Sequence, residues 1–249
     1  MRYILTICIC SLVLASCKKK KDDAETVADP DTLTVNVQPV FGASPLVLDQ
    51  TYALNDSTGI QFTDIKFFMS NASSGGTVKK DYSLFDYRNT SSLLFTIPGV
   101  SSDFTELNAL IGVPASVNHS DPAAFPAASA LNISNADDMH WAWSFGYIFI
   151  KVEARADTIP DGIPLFDHTL TYHVGSDAFS GAVSFPDLNW TAASTHHSVS
   201  TLHLNMEQFI NRAASPINIR TEVITHSNAG QEALTAKVLS NFIAALTAP

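Results

Sequence analysis

The 249-residue chain is 46% hydrophobic and 15% charged, which excludes a disordered polyelectrolyte and leaves ample apolar material for a core. Against 24 Asp plus Glu stand 14 Lys plus Arg, a formal charge of −10, so a nucleic-acid backbone, which needs a basic footprint, is excluded as a partner. The length suits one all-β domain of roughly 200–250 residues. No run beyond the N-terminus approaches the roughly 20 apolar residues of a membrane-spanning helix.

The first 17 residues are an address. Arg2 precedes an apolar run from Tyr3 to Ala15, and Leu14-Ala15-Ser16-Cys17 ends it with small residues before a cysteine. This is a secretory signal whose end resembles the lipobox of bacterial lipoproteins, so Cys17 is the expected lipidated first residue of the mature chain. Burial of acyl CH₂ groups would then anchor the protein to a membrane of the cell envelope, at the outer membrane or the periplasmic face, without spanning it. Cys8 and Cys10 fall inside the removed segment. The mature chain therefore has no thiol for a disulfide, a zinc–thiolate site or a nucleophile. Residues 18–32, with Lys18 to Lys21 followed by Asp22, Asp23, Glu25, Asp29 and Asp31, read as a flexible tether, and the domain is expected over 33–249.

From Leu33 the pattern has period two: Leu33, Val35 and Val37 alternate with Thr34, Asn36 and Gln38. Further strands are expected around 60–69, 93–97, 104–112, 145–153, 169–174, 183–185, 199–205 and 217–224, separated by Gly, Pro, Asn and Ser clusters. The stretch 145–152 is apolar on both faces and should be central. Helix is expected near 206–213 and over 231–246, where Leu234, Val238, Phe242 and Leu246 recur every fourth residue. Many short strands without βαβ alternation predict an all-β fold: an antiparallel sandwich or barrel-like domain with long loops and a C-terminal helix.

No phosphate-cradling glycine loop, Gly-x-Ser-x-Gly elbow or His-Glu-x-x-His pair occurs, and no nucleophile–base pair is recognisable, so an enzyme is not expected. What remains is eight histidines and three tryptophans. Imidazole is a ligand for copper, zinc, iron and nickel. Trp141 and Trp143 are two apart, so an extended backbone would put them on one face, where they also suit a packing pair. His173 is out of phase with Leu170, Tyr172 and Val174, and faces away from the core if those three face it. His119 lies in a Pro-punctuated loop and His226 in a loop before the last helix. His196, His197 and His203 form a local cluster, but adjacent histidines on a strand point to opposite faces.

Taken in order, these pieces form a pattern. Val40-Phe41-Gly42 precedes Pro45-Leu46-Val47-Leu48; Thr63-Asp64-Ile65-Lys66-Phe67-Phe68-Met69-Ser70-Asn71 and Tyr82-Ser83-Leu84-Phe85-Asp86 follow. Next come Ile111-Gly112-Val113 with Asn118-His119-Ser120-Asp121-Pro122, the block MHWAWSFGYIF, and Tyr172-His173-Val174-Gly175. From about residue 33 to the C-terminus the chain resembles the MbnP-like family of copper-binding proteins associated with methanobactin uptake. The Trp-x-Trp block followed by the His-Val-Gly strand is the most specific part.

The resemblance implies copper held by histidines together with a kynurenine, made by oxidising a tryptophan with a dihaem partner protein of the peroxidase type. It implies a metal site drawn from His119, His173, Trp141 and Trp143, with Trp141 favoured for oxidation because it lies nearer the flanking loop; His226 is added as a further metal candidate because its loop precedes the final helix. Two departures stand out: His140 replaces an aromatic residue of many relatives, and Ser83 stands where some carry His. The expected function is a membrane-anchored copper-binding lipoprotein for copper uptake or handling. The alternative is a metal-free β-sandwich lipoprotein that binds a protein or carbohydrate partner through an aromatic face.

Overall fold

The computed structural model describes residues 30–54, 58–136, 138–141, 145–159, 161, 163 and 165–248. Cys17, the signal segment, most of the tether and Trp143 lie outside the described residues. In chain order the strands are Thr32–Phe41 (β1), Ser44–Pro45 (β2), Thr51–Ala53 (β3), Gly59–Ser74 (β4), Thr77–Asp86 (β5), Leu93–Pro98 (β6) and Leu107–Ile111 (β7). Then follow Ile148–Asp157 (β8), His168–Gly175 (β9), Gly181–Phe185 (β10), Thr191–Ser194 (β11), His197–Asn205 (β12), Ile224–Thr225 (β13) and Leu246–Thr247 (β14). Helices Tyr87–Thr90 (α1), Ala115–Asn118 (α2) and Ile133–Ala136 (α3) are single turns; Met206–Asn211 (α4) and Glu232–Ala245 (α5) are longer.

The fold is all-β, with two sheets. One runs β11-β12-β1-β2, with β14 beside β12 and β6 beside β1; the other runs β10-β7-β4-β8-β9-β13, with β3 and β5 on β4. Most pairings are antiparallel as expected, with two exceptions: β1 runs parallel to β12 and β13 parallel to β9. Alternation makes β1 a two-faced strand, and Leu33, Val35 and Val37 are buried in the main core. That core also takes Phe67 and Phe85, whose rings lie 5.1 Å apart, and Phe67 meets Phe242 of α5 edge-on at 5.2 Å. Each such buried aliphatic or aromatic side chain contributes about 1.5–3 kcal/mol relative to exposure. The i+4 stripe of α5 is borne out in part: Val238, Phe242 and Leu246 are buried, the last just beyond the helix, while Leu234 is partly buried.

The eight-stranded sheet is covered on its second face too. Phe68, next to Phe67 and therefore on the opposite side, packs with Val113, Leu131, Met139, Tyr147 and Phe149 in a smaller core formed by the segment between β7 and β8. This is why the stretch before and along β8 is apolar on both faces, and β8 lies between β4 and β9 as a central strand should. The expected boundaries shift in several places: the strand expected over 60–69 runs on to Ser74, and the one expected over 104–112 spans only Leu107–Ile111. β8 begins at Ile148, not residue 145, and Phe145 is 60% exposed. Around 217–224 only Ile224–Thr225 is strand, because Thr221 and Glu222 donate their backbone N–H to the Asn218 carbonyl and close a turn there.

Candidate metal centre

β9 puts Leu170, Tyr172 and Val174 into the core at 0% exposure and turns His173 to the outer face. β13 joins β9 in parallel with Ile224 opposite Thr171 and Thr225 opposite Tyr172, so the next residue, His226, arrives beside His173. Their rings stack with centroids 5.0 Å apart and planes 16° apart. Ser227 locks the pair in place: its hydroxyl accepts from the Gly175 N–H at 3.0 Å and donates to the His173 carbonyl at 3.3 Å. The Nε2 of His226 is buried with no hydrogen-bond partner.

His173 Nε2 lies 2.9 Å from Glu153 Oε1. An ionised carboxylate only accepts, so Nε2 carries the proton and Nδ1 keeps its lone pair, the arrangement by which carboxylates orient metal-binding imidazoles. Burial pushes the His173 imidazole below its usual range, and Glu153 opposes this only in part. The neutral form, which is the form that binds metal, is thereby favoured.

Trp141 comes to the same place from the other side. The backbone doubles back antiparallel: Ile148 N–H donates to the Met139 carbonyl at 2.9 Å, His140 bridges Tyr147, and Trp141 N–H donates to the Gly146 carbonyl at 3.1 Å. The Trp141 ring then lies against Gly175, where a Cβ would stand 2.6 Å from Cζ3, so only glycine admits it. Gly146, at φ +77°, is crowded by Asn118, whose buried side chain accepts from Tyr147 N–H and donates to Asp177. His119, 45% exposed, places Nε2 3.2 Å from Asp177 Oδ2. The site residues thus fall into a pair, His173 with His226, a Trp141 ring against Gly175 on the same strand as His173, and His119 tied to Asp177, two residues beyond Gly175. His140 stacks edge-on against Tyr147 at 4.8 Å, and its Nε2 is buried without a partner.

Beside the pair lies a feature that sequence reasoning missed. Asp86, Lys66, Lys151 and His173 are directly opposite one another on β5, β4, β8 and β9, forming one row across the outer face of the sheet. Both lysines are buried, at 6% and 7% exposure. Burial alone would lower their affinity for a proton, but Asp138, Asp64 and Asp86 about Lys66, and Asp138, Glu153 and Asp64 about Lys151, outweigh it and hold both ammonium groups charged. The available signal was a lysine amid apolar neighbours, Ile65-Lys66-Phe67 and Ile150-Lys151-Val152, since an unpaired ammonium is almost never buried.

Among the described residues, no group of three or more His, Cys, Asp or Glu side chains is arranged to hold a metal ion. Two imidazoles with one buried, unpartnered nitrogen beside an indole do suit a metal that favours nitrogen donors. They offer nothing to Mg²⁺ or Ca²⁺, which take oxygen shells.

A family model described as MbnP matches residues 30–229. Among solved structures, MbnP from Methylosinus trichosporium is similar at 14% identity and a TM-score of 0.46, covering 84% of this chain and 93% of its own. No curated protein matches.

Proposed function

This chain belongs to the MbnP family, which is associated with methanobactin and copper handling, and on that premise we propose that it binds copper through His173 and His226, with Trp141 supplying a third donor once oxidised to kynurenine. The observation that carries the reading is the stacked histidine pair with the buried, unpartnered Nε2 of His226, with the Trp141 ring against Gly175, two residues beyond His173 on β9. An aromatic amine and neutral imidazoles form a nitrogen set suited to copper. His119, and Trp143, which lies outside the described residues, are the further candidates. A dihaem protein of the peroxidase type is the proposed maturation partner. Lipidated Cys17 would hold the protein at the cell envelope, and its role there is non-enzymatic copper uptake or handling.

The test is intact mass and metal analysis on protein produced with its native oxidising partner. The proposal expects stoichiometric copper in the fraction whose mass shows tryptophan converted to kynurenine. Metal-free protein with unmodified tryptophan would leave the partner-binding alternative in its place.

A further inference from the structure

We infer that Asp138 is a positioning residue: clamped between Lys66 and Lys151, it fixes where the hairpin carrying Trp141 lies against His173 and His226. The inference deepens the copper reading and rests on it only for its second readout. Lys66 and Lys151 are directly paired across β4 and β8. Like charges so placed repel, and buried ammonium groups need carboxylates. Asp86 serves Lys66 at 3.1 Å, Glu153 serves Lys151 at 3.5 Å, and Asp64 reaches the two at 3.8 and 3.4 Å. Asp138 makes the shortest contact to each: Oδ1 lies 2.9 Å from Lys66 Nζ, and Oδ2 binds Lys151 Nζ.

The other three carboxylates stand on β5, β8 and β4 themselves. Asp138 alone of the four comes from the segment that covers the sheet, and its side chain remains 41% exposed. From it the link to the indole is short and hydrogen-bonded at each residue. Met139 is buried and pairs with Ile148, His140 bridges Tyr147, and Trp141 pairs with Gly146. A buried ion cluster contributes little net stability against apolar residues of equal volume. What this one supplies is placement, because a carboxylate bonded to two lysines on neighbouring strands has one position and one orientation.

The experiment uses the full chain with Trp141 as its sole tryptophan, through Trp143→Phe and Trp190→Phe. Asp138→Asn should shift Trp141 emission to the red and remove its protection from acrylamide, while cooperative unfolding is kept. Asp138→Glu should restore much of both. Asp86→Asn takes an equal charge from Lys66 but from outside the hairpin, and should leave the emission unchanged. Wild-type emission in Asp138→Asn, the same red shift in Asp86→Asn, or failure of Asp138→Asn to fold would each overturn the inference. In the matured protein with all its tryptophans, Asp138→Asn should weaken copper binding about 10–100-fold, as loss of a supporting residue does. An emission shift with unchanged copper affinity would uphold the clamp and remove Trp141 from the copper site.

Discussion

Two pairs of histidines lie at the strands of different sheets of this molecule, His196 in the turn before β12 and His226 just past β13, and they have opposite characters. His196 and His197 are neighbours in sequence, and each has its own partner: His196 Nδ1 lies 2.9 Å from Asp31 and His197 Nε2 lies 2.9 Å from Thr34 Oγ1. They tie the start of β12 to the start of β1. His173 and His226 are far apart in sequence, yet their rings stack and one nitrogen is buried with nothing to bond. A buried polar atom left unsatisfied costs about 1–3 kcal/mol, so its presence in a folded protein calls for a use. Nearness in sequence therefore says little about a shared site on a strand, whereas a parallel pairing of two strands sets residues of equal register side by side.

The contrast breaks most sharply under alanine. His173→Ala or His226→Ala should weaken copper binding by more than the roughly 10–100-fold typical of a supporting residue, measured by chelator competition on matured protein. Near-wild-type affinity in either would remove that residue from the site. Glu153→Gln comes next. With no carboxylate to hold the His173 Nε2 proton, affinity should fall about 10–100-fold while copper stoichiometry is unchanged, and no loss would mean the imidazole is oriented by its stacking alone.

A smaller effect concerns the segment that delivers His226. Glu222 binds Lys237 of α5 at 2.6 Å, and Tyr172 donates to the Glu222 carbonyl. Burial would raise the Glu222 carboxyl, but its hydrogen bonds from Lys237 and from the Asn218 N–H outweigh this and hold it below the ordinary carboxylate range. The folded pKa is depressed, so the contribution is present above the ordinary glutamate range and is lost as the pH falls through the folded value. Glu222→Gln should remove about 0.5 kcal/mol at neutral pH, the size of a solvent-reached pair, and less in acid. Thermal unfolding at the two pH values checks it. Smallest of all is His196→Ala, expected to leave copper affinity unchanged and to cost at most about 1 kcal/mol of stability. A loss of copper there would exchange the roles of the two pairs.

His173 was legible because three buried residues alternate around it, and an imidazole out of phase with a strand's apolar side has nowhere to go but the other face. His226 was named as a candidate, but its place beside His173 was not legible, because it depends on a two-residue parallel pairing that no local pattern announces. β5 escaped notice for a different reason: its first residues, Thr77 to Lys79, are exposed, so the alternation that marks a half-buried strand begins only at Ser83 and Phe85. Ile217 and Ile219 gave the opposite error, since they are buried from a loop and the turn that follows it and mimic strand periodicity. The lysine row required knowing which strands are neighbours, which periodicity within each strand cannot supply.

The parallel pairing of β1 with β12 bears on the order of events when the chain is made. Thr32 donates its hydroxyl proton to the carbonyl of His196, 164 residues later. During synthesis β1 can find β2 and β6 early, but its other edge has to wait until almost the whole polypeptide has emerged. Such long-range closure is slow, and an unpaired apolar strand edge is a template for association with other chains. A chain cut short before β12 would keep that edge permanently open. Completion of the C-terminal third is thus what ends the interval in which the newborn protein needs protection from its own kind.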